Sequence, residues 1–329
     1  TSTTTTTTTA EQALQNMAEC MQAEVLKQLK DIANEVSFEE QTRKKMGGSY
    51  ENYTCMDFDL DSTEPIERGF WLDPVSQRNQ KVGILHDRPA SKIHVIDDFI
   101  TVEECQAMED AARPTLRKAV VADGAGGHSV SENRKAMQAG IVVPWDKEDE
   151  KHPIATISRR VYDYANDVLG LGIEEHGQEN LMSIQYFTGN QTAAGGKYEE
   201  FDQYLPHCDG DCTGDPHKYA GRVATMVMYC TVPTKGGATN FRNSGLHVQA
   251  KKGSAVFFSY FDNETGVMDS GFTEHSGCPV VEGEKKIVTQ WIRYGVTKEV
   301  PWTAYNSLGI LYSEANEQDY GITPDGSQA

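Results

Sequence analysis

The sequence has no run of about eighteen apolar residues, the length a helix needs to cross a bilayer. No membrane-spanning helix is therefore expected. It has no CxxC pair and no zinc-finger spacing of Cys and His. It has no basic excess: 30 Lys and Arg stand against 49 Asp and Glu, a net charge of −19. Displacing counterions from nucleic acid takes Lys and Arg, so non-specific nucleic-acid binding is excluded. The same balance excludes a polybasic membrane surface. No internal repeat is present. The N-terminus lacks a basic stretch followed by an apolar one, so no signal peptide is expected. Residues 1–9 are almost pure Thr and are expected to be disordered. The first residue is Thr rather than Met, which fits a targeting segment that has been removed.

The 329 residues are 38% hydrophobic, enough for one large domain or two ordinary ones with polar tails. The seven cysteines are odd in number, so full internal pairing is impossible. Disulfides among Cys208, Cys212, Cys230 and Cys278 are expected, with connectivity unreadable. Zinc binding by Cys208, Cys212 and His217 is the alternative. Otherwise His217 and His247 read as ordinary surface or loop histidines. Sequons stand at Asn52, Asn190 and Asn263.

Leu14, Met17, Met21, Val25, Leu29, Ile32 and Val36 recur at steps of three and four. They predict one apolar stripe on a helix over 10–36. That helix either packs on the domain or serves as a dimerisation helix or stalk. Residues 37–90 show little period and read as an extended wrapping segment. A strand is expected at 93–96. A helix starts after Thr101, with Glu104 completing a capping box, and stops near Pro114. Residues 123–127 read as a flexible loop. A second helix is expected over 154–169, closed by Gly170. Beyond it, apolar runs at 181–187, 223–232, 254–261 and 287–296 predict strands. Helices followed by many strands indicate an α+β chain with an all-β sandwich or barrel core. From about Tyr305 the chain is a polar, acidic tail expected to cover a surface.

Of nine histidines, only one begins His-x-Asp: His207-Cys208-Asp209. Residues two apart in a strand face the same way, so one imidazole and one carboxylate are offered to a single point. A further histidine would complete a two-His, one-carboxylate set that leaves open positions on Fe(II). Cys208 must then point away from the metal. His-x-Asp alone is a weak signal. Its surroundings are Tyr204-Leu205-Pro206 before it and Arg222-Val223-Ala224-Thr225 after it. Gly236-Gly237-Ala238-Thr239, then His275-Ser276-Gly277-Cys278-Pro279, then Gly283-Glu284-Lys285-Lys286-Ile287 follow.

In the order and spacing of these motifs the chain resembles the prolyl 4-hydroxylase family of Fe(II)- and 2-oxoglutarate-dependent dioxygenases, over about 93–296. The resemblance implies a double-stranded β-helix (jelly-roll) core with helices supporting one sheet. It divides the chain into a tail (1–9), an N-terminal helix and wrapping segment (10–92), the dioxygenase domain (93–298) and a polar tail (299–329). It implies metal ligation by His207, Asp209 and His275. Lys285, ten residues after His275, would hold the far carboxylate of 2-oxoglutarate. Strand parity separates it from Lys286, because Lys285, Ile287, Thr289 and Trp291 share one face. Tyr186 and Thr225 would complete the 2-oxoglutarate pocket, with Trp291 near it. Tyr204, Arg134, Glu179 and Trp291 fall at positions of the family's peptide-binding region. Lys135 and Ala136 depart from the family pattern beside Arg134. The stretch 188–203 is longer than in relatives, and reads as a surface insertion or a lid.

The resemblance implies hydroxylation of peptidyl proline with Fe(II), 2-oxoglutarate, O2 and ascorbate, releasing succinate and CO2. The partner expected is a proline-rich peptide or protein. Two alternatives stay open: the same chemistry on a lysyl residue, free amino acid or small molecule, or a non-catalytic peptide-binding module. The endoplasmic reticulum or secretory pathway is the expected location, with the cytoplasm as the alternative. Oligomeric state is open.

Overall fold

The computed structural model describes residues 10–47, 55, 58–119, 121–122, 128–129, 134–188 and 201–312. The Thr-rich start, the 123–127 loop, nearly all of the 188–203 stretch, the Asn52 and Asn190 sequons and the last seventeen residues lie outside them. Among the described residues no helix is long and apolar enough to cross a membrane.

The chain begins with helix α1 (Ala10–Gly47), then strands β1 (Glu67–Leu72), β2 (Asn79–Arg88) and β3 (Ser91–Ile96). Helix α2 (Val102–Ala112) leads to β4 (Arg117–Lys118), β5 (Val121–Ala122), β6 (His128–Ser129) and β7 (Met137–Ile141). After α3 (Pro153–Leu169) come β8 (Leu181–Phe187), β9 (Tyr204–His207), β10 (Arg222–Thr231), β11 (Lys235–Gly236), β12 (Thr239–Phe241) and β13 (Leu246–Val248). The chain continues through β14 (Ala255–Ser259), β15 (His275–Gly277), β16 (Val280–Glu282) and β17 (Glu284–Arg293).

Nine strands form one antiparallel sheet in the order β1-β2-β3-β14-β10-β17-β8-β7-β4. A four-stranded sheet has the order β13-β12-β15-β9. Strand β14 shows how the layers meet. Its five residues are all buried, and neighbours along it face opposite ways. Phe257 meets Tyr164 of α3 at 5.2 Å between ring centroids. Phe258 turns the other way, to Phe241 of β12 at 5.2 Å and His275 of β15 at 4.6 Å. Helices α2 and α3 thus cover one face of the large sheet, and the small sheet lies over the other.

The helix signals hold. Thr101 accepts from the Glu104 backbone N–H, and the Glu104 carboxylate accepts from Thr101 N–H. Gly170 closes α3 at φ 63°, a left-handed conformation that glycine adopts without Cβ strain. Behind these caps, α2 and α3 are joined by charge. Arg160 donates to both oxygens of Glu104 at 3.0 Å, to Asp73 at 2.7 Å and to the Phe99 carbonyl at 2.8 Å. Removing one partner of a buried pair leaves the other uncompensated. Arg160→Ala is therefore expected to lower unfolding free energy by about 3–5 kcal/mol in chemical denaturation. A loss below about 1 kcal/mol, the range of exposed pairs, would contradict this account.

Three readings need correction. The first helix runs eleven residues further than its stripe predicts, to Gly47. Its seven stripe residues are 49–61% exposed, so it does not pack on the domain. Periodicity makes a helix amphipathic but does not say what covers the apolar face. Second, 67–88 is not irregular: β1 and β2 extend the large sheet. Strand β1 is almost wholly exposed, so it carries no alternation to read. Third, β17 starts three residues before its apolar run, because Glu284 and Lys285 still pair with Phe187 and Tyr186. The polar tail covers a surface as far as 312, as expected. Tyr305 and Leu308 are buried, and the Asn306 carbonyl accepts from Arg293 at 2.7 Å.

Disulfides join Cys55 to Cys278, Cys105 to Cys230 and Cys208 to Cys212, leaving Cys20 free. The Cys208–Cys212 bond removes the zinc alternative. His247 is buried, not a surface group.

Candidate active site

Strands β9 and β15 pair so that His207 stands opposite His275. Asp209 follows β9 by two residues and turns back to the same point. His207 Nε2 lies 3.5 Å from Asp209 Oδ1, and His275 Nε2 lies 3.8 Å from Asp209 Oδ2. One candidate ligand atom from each residue falls within 4.8 Å of the other two, and all three residues are buried. Each ring has its other nitrogen occupied. His207 Nδ1 donates to the Leu205 carbonyl at 2.8 Å, and His275 Nδ1 donates to the Thr273 carbonyl at 3.1 Å. A carbonyl can only accept, so each Nδ1 carries a proton and each Nε2 is left facing Asp209. Burial, with His207 beside it, pushes His275 down to about 4 and keeps its ring neutral. Burial raises the Asp209 carboxyl, but His275, His207 and Arg222 outweigh it and hold it well below the usual range. Two imidazoles and one carboxylate on one side of a point suit a divalent transition metal with open positions.

Lys285 lies on β17 opposite Tyr186 of β8. It is buried, and its Nζ sits 5.6 Å from the ring centres of Tyr186 and Tyr229. Among the described residues no carboxylate pairs with it. Burial alone pushes its ammonium down to about 7. Lys286 points the other way, to Glu109 at 3.0 Å and Glu284 at 3.5 Å. Lys285, Ile287, Thr289 and Trp291 all line one pocket with the metal triad, as strand parity predicts.

The same pocket takes in Arg134, Tyr186 and Tyr204. Tyr204 stacks on His207 with ring centres 3.5 Å apart, and the Arg134 guanidinium lies 4.8 Å over the Tyr204 ring. Arg134 Nε and Nη2 are buried with no hydrogen-bond partner among the described residues, and so is Trp291 Nε1. Buried donors of this kind cost free energy unless something arrives to accept from them.

Two expected site residues are placed otherwise. Glu179 does not line the pocket. Its oxygens accept from Arg222 at 2.6 and 2.8 Å and from Arg293 at 2.6 Å. Burial raises its carboxyl, but the two guanidinium groups outweigh that and bring it down to about 2. Its acceptor capacity serves the core, not a peptide. Thr225 also stands behind the pocket: its hydroxyl donates to Asp209 Oδ2 at 2.8 Å and meets Tyr260 Oη at 3.1 Å. It orients the Asp209 carboxylate. Arg222 joins both layers, because it donates to the Asp209 carbonyl at 3.0 Å and covers Trp291 at 4.2 Å.

Three residues were missed. Thr239 lines the pocket and meets Tyr229 Oη at 2.7 Å. No sequence signal marked either beyond the motif containing Thr239. Tyr260, which supports Thr225, had none.

Residues 193–293 match the family described as the 2OG-Fe(II) oxygenase superfamily. Prolyl 4-hydroxylase subunit alpha-3 of Mus musculus is 31% identical over 217 residues, covering 64% of this chain and 35% of that protein. Prolyl 4-hydroxylase subunit alpha-1 of Gallus gallus is 27% identical over 227 residues, covering 67% and 38%. The chain thus spans little more than a third of the length of the curated relatives it matches. A solved structure of the viral collagen prolyl hydroxylase of Paramecium Bursaria Chlorella virus-1, with 2-oxoglutarate, aligns with TM-score 0.46 and 26% identity. That alignment covers 61% of this chain and 96% of that one. The match over residues 193–293 and the triad within it define a 2-oxoglutarate and Fe(II) oxygenase domain. The curated relatives are prolyl 4-hydroxylase subunits, and this chain is similar to them over about two thirds of its own length.

Proposed function

We propose that this chain is a dioxygenase that hydroxylates proline within a peptide at C4, with Fe(II), 2-oxoglutarate and O2. The overall change is balanced: 2-oxoglutarate, O2 and a C–H bond give succinate, CO2 and a C–OH group. One observation carries the reading. A buried lysine without a counter-ion among the described residues shares a narrow pocket with a two-His, one-Asp triad. A buried ammonium needs an anionic partner, and a dicarboxylate reaching from the metal supplies one.

In this reading His207, Asp209 and His275 hold the iron, which supplies oxidative decarboxylation and oxygen transfer when bound. Thr225 and Arg222 keep Asp209 aimed at it. Lys285 binds the distal carboxylate of 2-oxoglutarate, and Tyr186 stands beside it. Tyr204 and Trp291 offer aromatic walls to an extended proline-rich segment. The orphan Arg134 donors suit backbone carbonyls of such a segment. The large and small sheets are read as the two halves of a double-stranded β-helix. Three disulfides support residence in an oxidising compartment, such as the endoplasmic reticulum.

The test is turnover in air with Fe(II), ascorbate and 2-oxoglutarate, with and without a proline-rich peptide. Succinate coupled to a gain of one oxygen on proline is expected. Succinate without peptide oxidation would move the substrate elsewhere. No succinate with iron bound would overturn the enzymatic reading.

A further inference from the structure

His207 and His275 are oriented by different means. His207 bonds to the Leu205 carbonyl within its own strand, so the strand's regular backbone fixes that acceptor. His275 opens β15, and its acceptor, the Thr273 carbonyl, lies in the irregular segment before it. Something other than strand geometry must hold Thr273.

That group is Asp269, which is buried. Its Oδ1 accepts from Phe272 N–H at 3.1 Å. Its Oδ2 accepts from Thr273 N–H at 2.7 Å and from the Thr273 hydroxyl at 2.6 Å. The Asp269 backbone is itself anchored, donating to the Tyr260 carbonyl at 2.9 Å and accepting from Gly214 N–H at 3.0 Å. One carboxylate therefore gathers two backbone donors and a hydroxyl from a single turn of chain. The turn that results directs the Thr273 carbonyl at His275 Nδ1. The outer side is closed as well. Phe272 is stacked on His86 at 5.4 Å and covered by Arg88 at 4.8 Å, both from the β2 strand. Glu274, fully buried, is paired with Arg242 at 2.7 Å.

We infer that Asp269 is a positioning residue for His275, acting through the Thr273 carbonyl to fix the ring's tautomer and the aim of its Nε2. The inference rests on reading His275 as a metal ligand. Groups that orient a ligating histidine commonly change metal affinity by about 10–100-fold when removed. Asp269→Asn keeps the shape but retains one acceptor oxygen for three donors.

The experiment measures Co(II) binding to chelator-stripped full-length protein by its visible absorption, with thermal unfolding alongside. Asp269→Asn is expected to weaken Co(II) binding about tenfold and to alter the absorption band of the bound ion. Glu104→Gln removes another buried carboxylate, one that serves Arg160 between α2 and α3. It is expected to lower the melting temperature and leave Co(II) affinity unchanged. If Asp269→Asn binds Co(II) like the parent while His275→Ala does not, the positioning role is overturned and the metal assignment stands. If His275→Ala binds like the parent, the metal assignment itself has failed. Should Asp269→Asn not fold, Thr273→Val removes only the hydroxyl bond. A few-fold weaker Co(II) binding is then expected, and unchanged binding would overturn the inference.

Discussion

Turnover should vanish in both His207→Ala and His275→Ala, with Fe(II) retained poorly by either variant. Each substitution removes one of three ligands, and no other His, Cys, Asp or Glu among the described residues joins that cluster. The rings are also held independently, by the Leu205 and Thr273 carbonyls, so neither replaces the other. The measurement is iron content after dialysis, together with succinate release. Full activity in either variant would sink the metal assignment. Loss of turnover with normal iron content would mean that the ring acts on substrate instead.

The second large effect is expected at Lys285. Truncating one partner of a buried, hydrogen-bonded charge pair costs about 2–5 kcal/mol. Lys285→Ala should therefore raise the 2-oxoglutarate requirement by at least about thirtyfold. Lys286→Ala should change it by less than about twofold, because Lys286 serves Glu109 and Glu284 on the opposite face. The reverse pattern would show the parity of β17 to be shifted by one. A pH signature accompanies this. Burial lowers the Lys285 ammonium to about 7, so above that pH the free protein carries it mostly neutral. A bound dicarboxylate favours the charged form and raises that value again. Binding of 2-oxoglutarate at pH 8 should then take up nearly one proton, and at pH 6 almost none. Calorimetry in two buffers of different ionisation enthalpy reads this directly. No uptake at pH 8 would mean that the ammonium already has a partner in the free protein.

The residues whose chemistry depends on strand parity were legible. His207 and Asp209 fall where alternate positions place them, His275 and Lys285 fall where the resemblance placed them, and parity shared with Trp291 helped to separate Lys285 from Lys286. Glu179 and Thr225 were not legible in the same way. A motif gives a residue its position in the chain, but what its side chain touches depends on partners far away. Glu179 meets Arg293, 114 positions on, and Thr225 of the large sheet meets Asp209, which follows a strand of the small sheet, rather than the pocket. Exposed strands left no trace either. Apart from Trp71, which packs on Tyr164, the residues of β1 are exposed, so backbone pairing rather than a burial pattern marks the strand. Disulfide pairing was unreadable because Cys55 and Cys278, 223 positions apart, are brought together by the whole fold.

The strand order has a consequence for how the chain is made. In the large sheet β3 lies beside β14, and β8 lies between β7 and β17, the last strand of the domain. A nascent chain that has emerged only as far as α3 therefore holds strands whose central neighbours have not yet been synthesised. Pairings between distant segments close late, because loop-closure entropy precedes the reward of contact. The apolar faces of β3, β7 and β8 thus wait for β10, β14 and β17, and such unpaired edges invite aggregation during synthesis. This enzyme is expected to depend on chaperones until its final strand is released. The candidate metal ligands, on and just after β9 and on β15, cannot meet on a piece of chain that stops before β15.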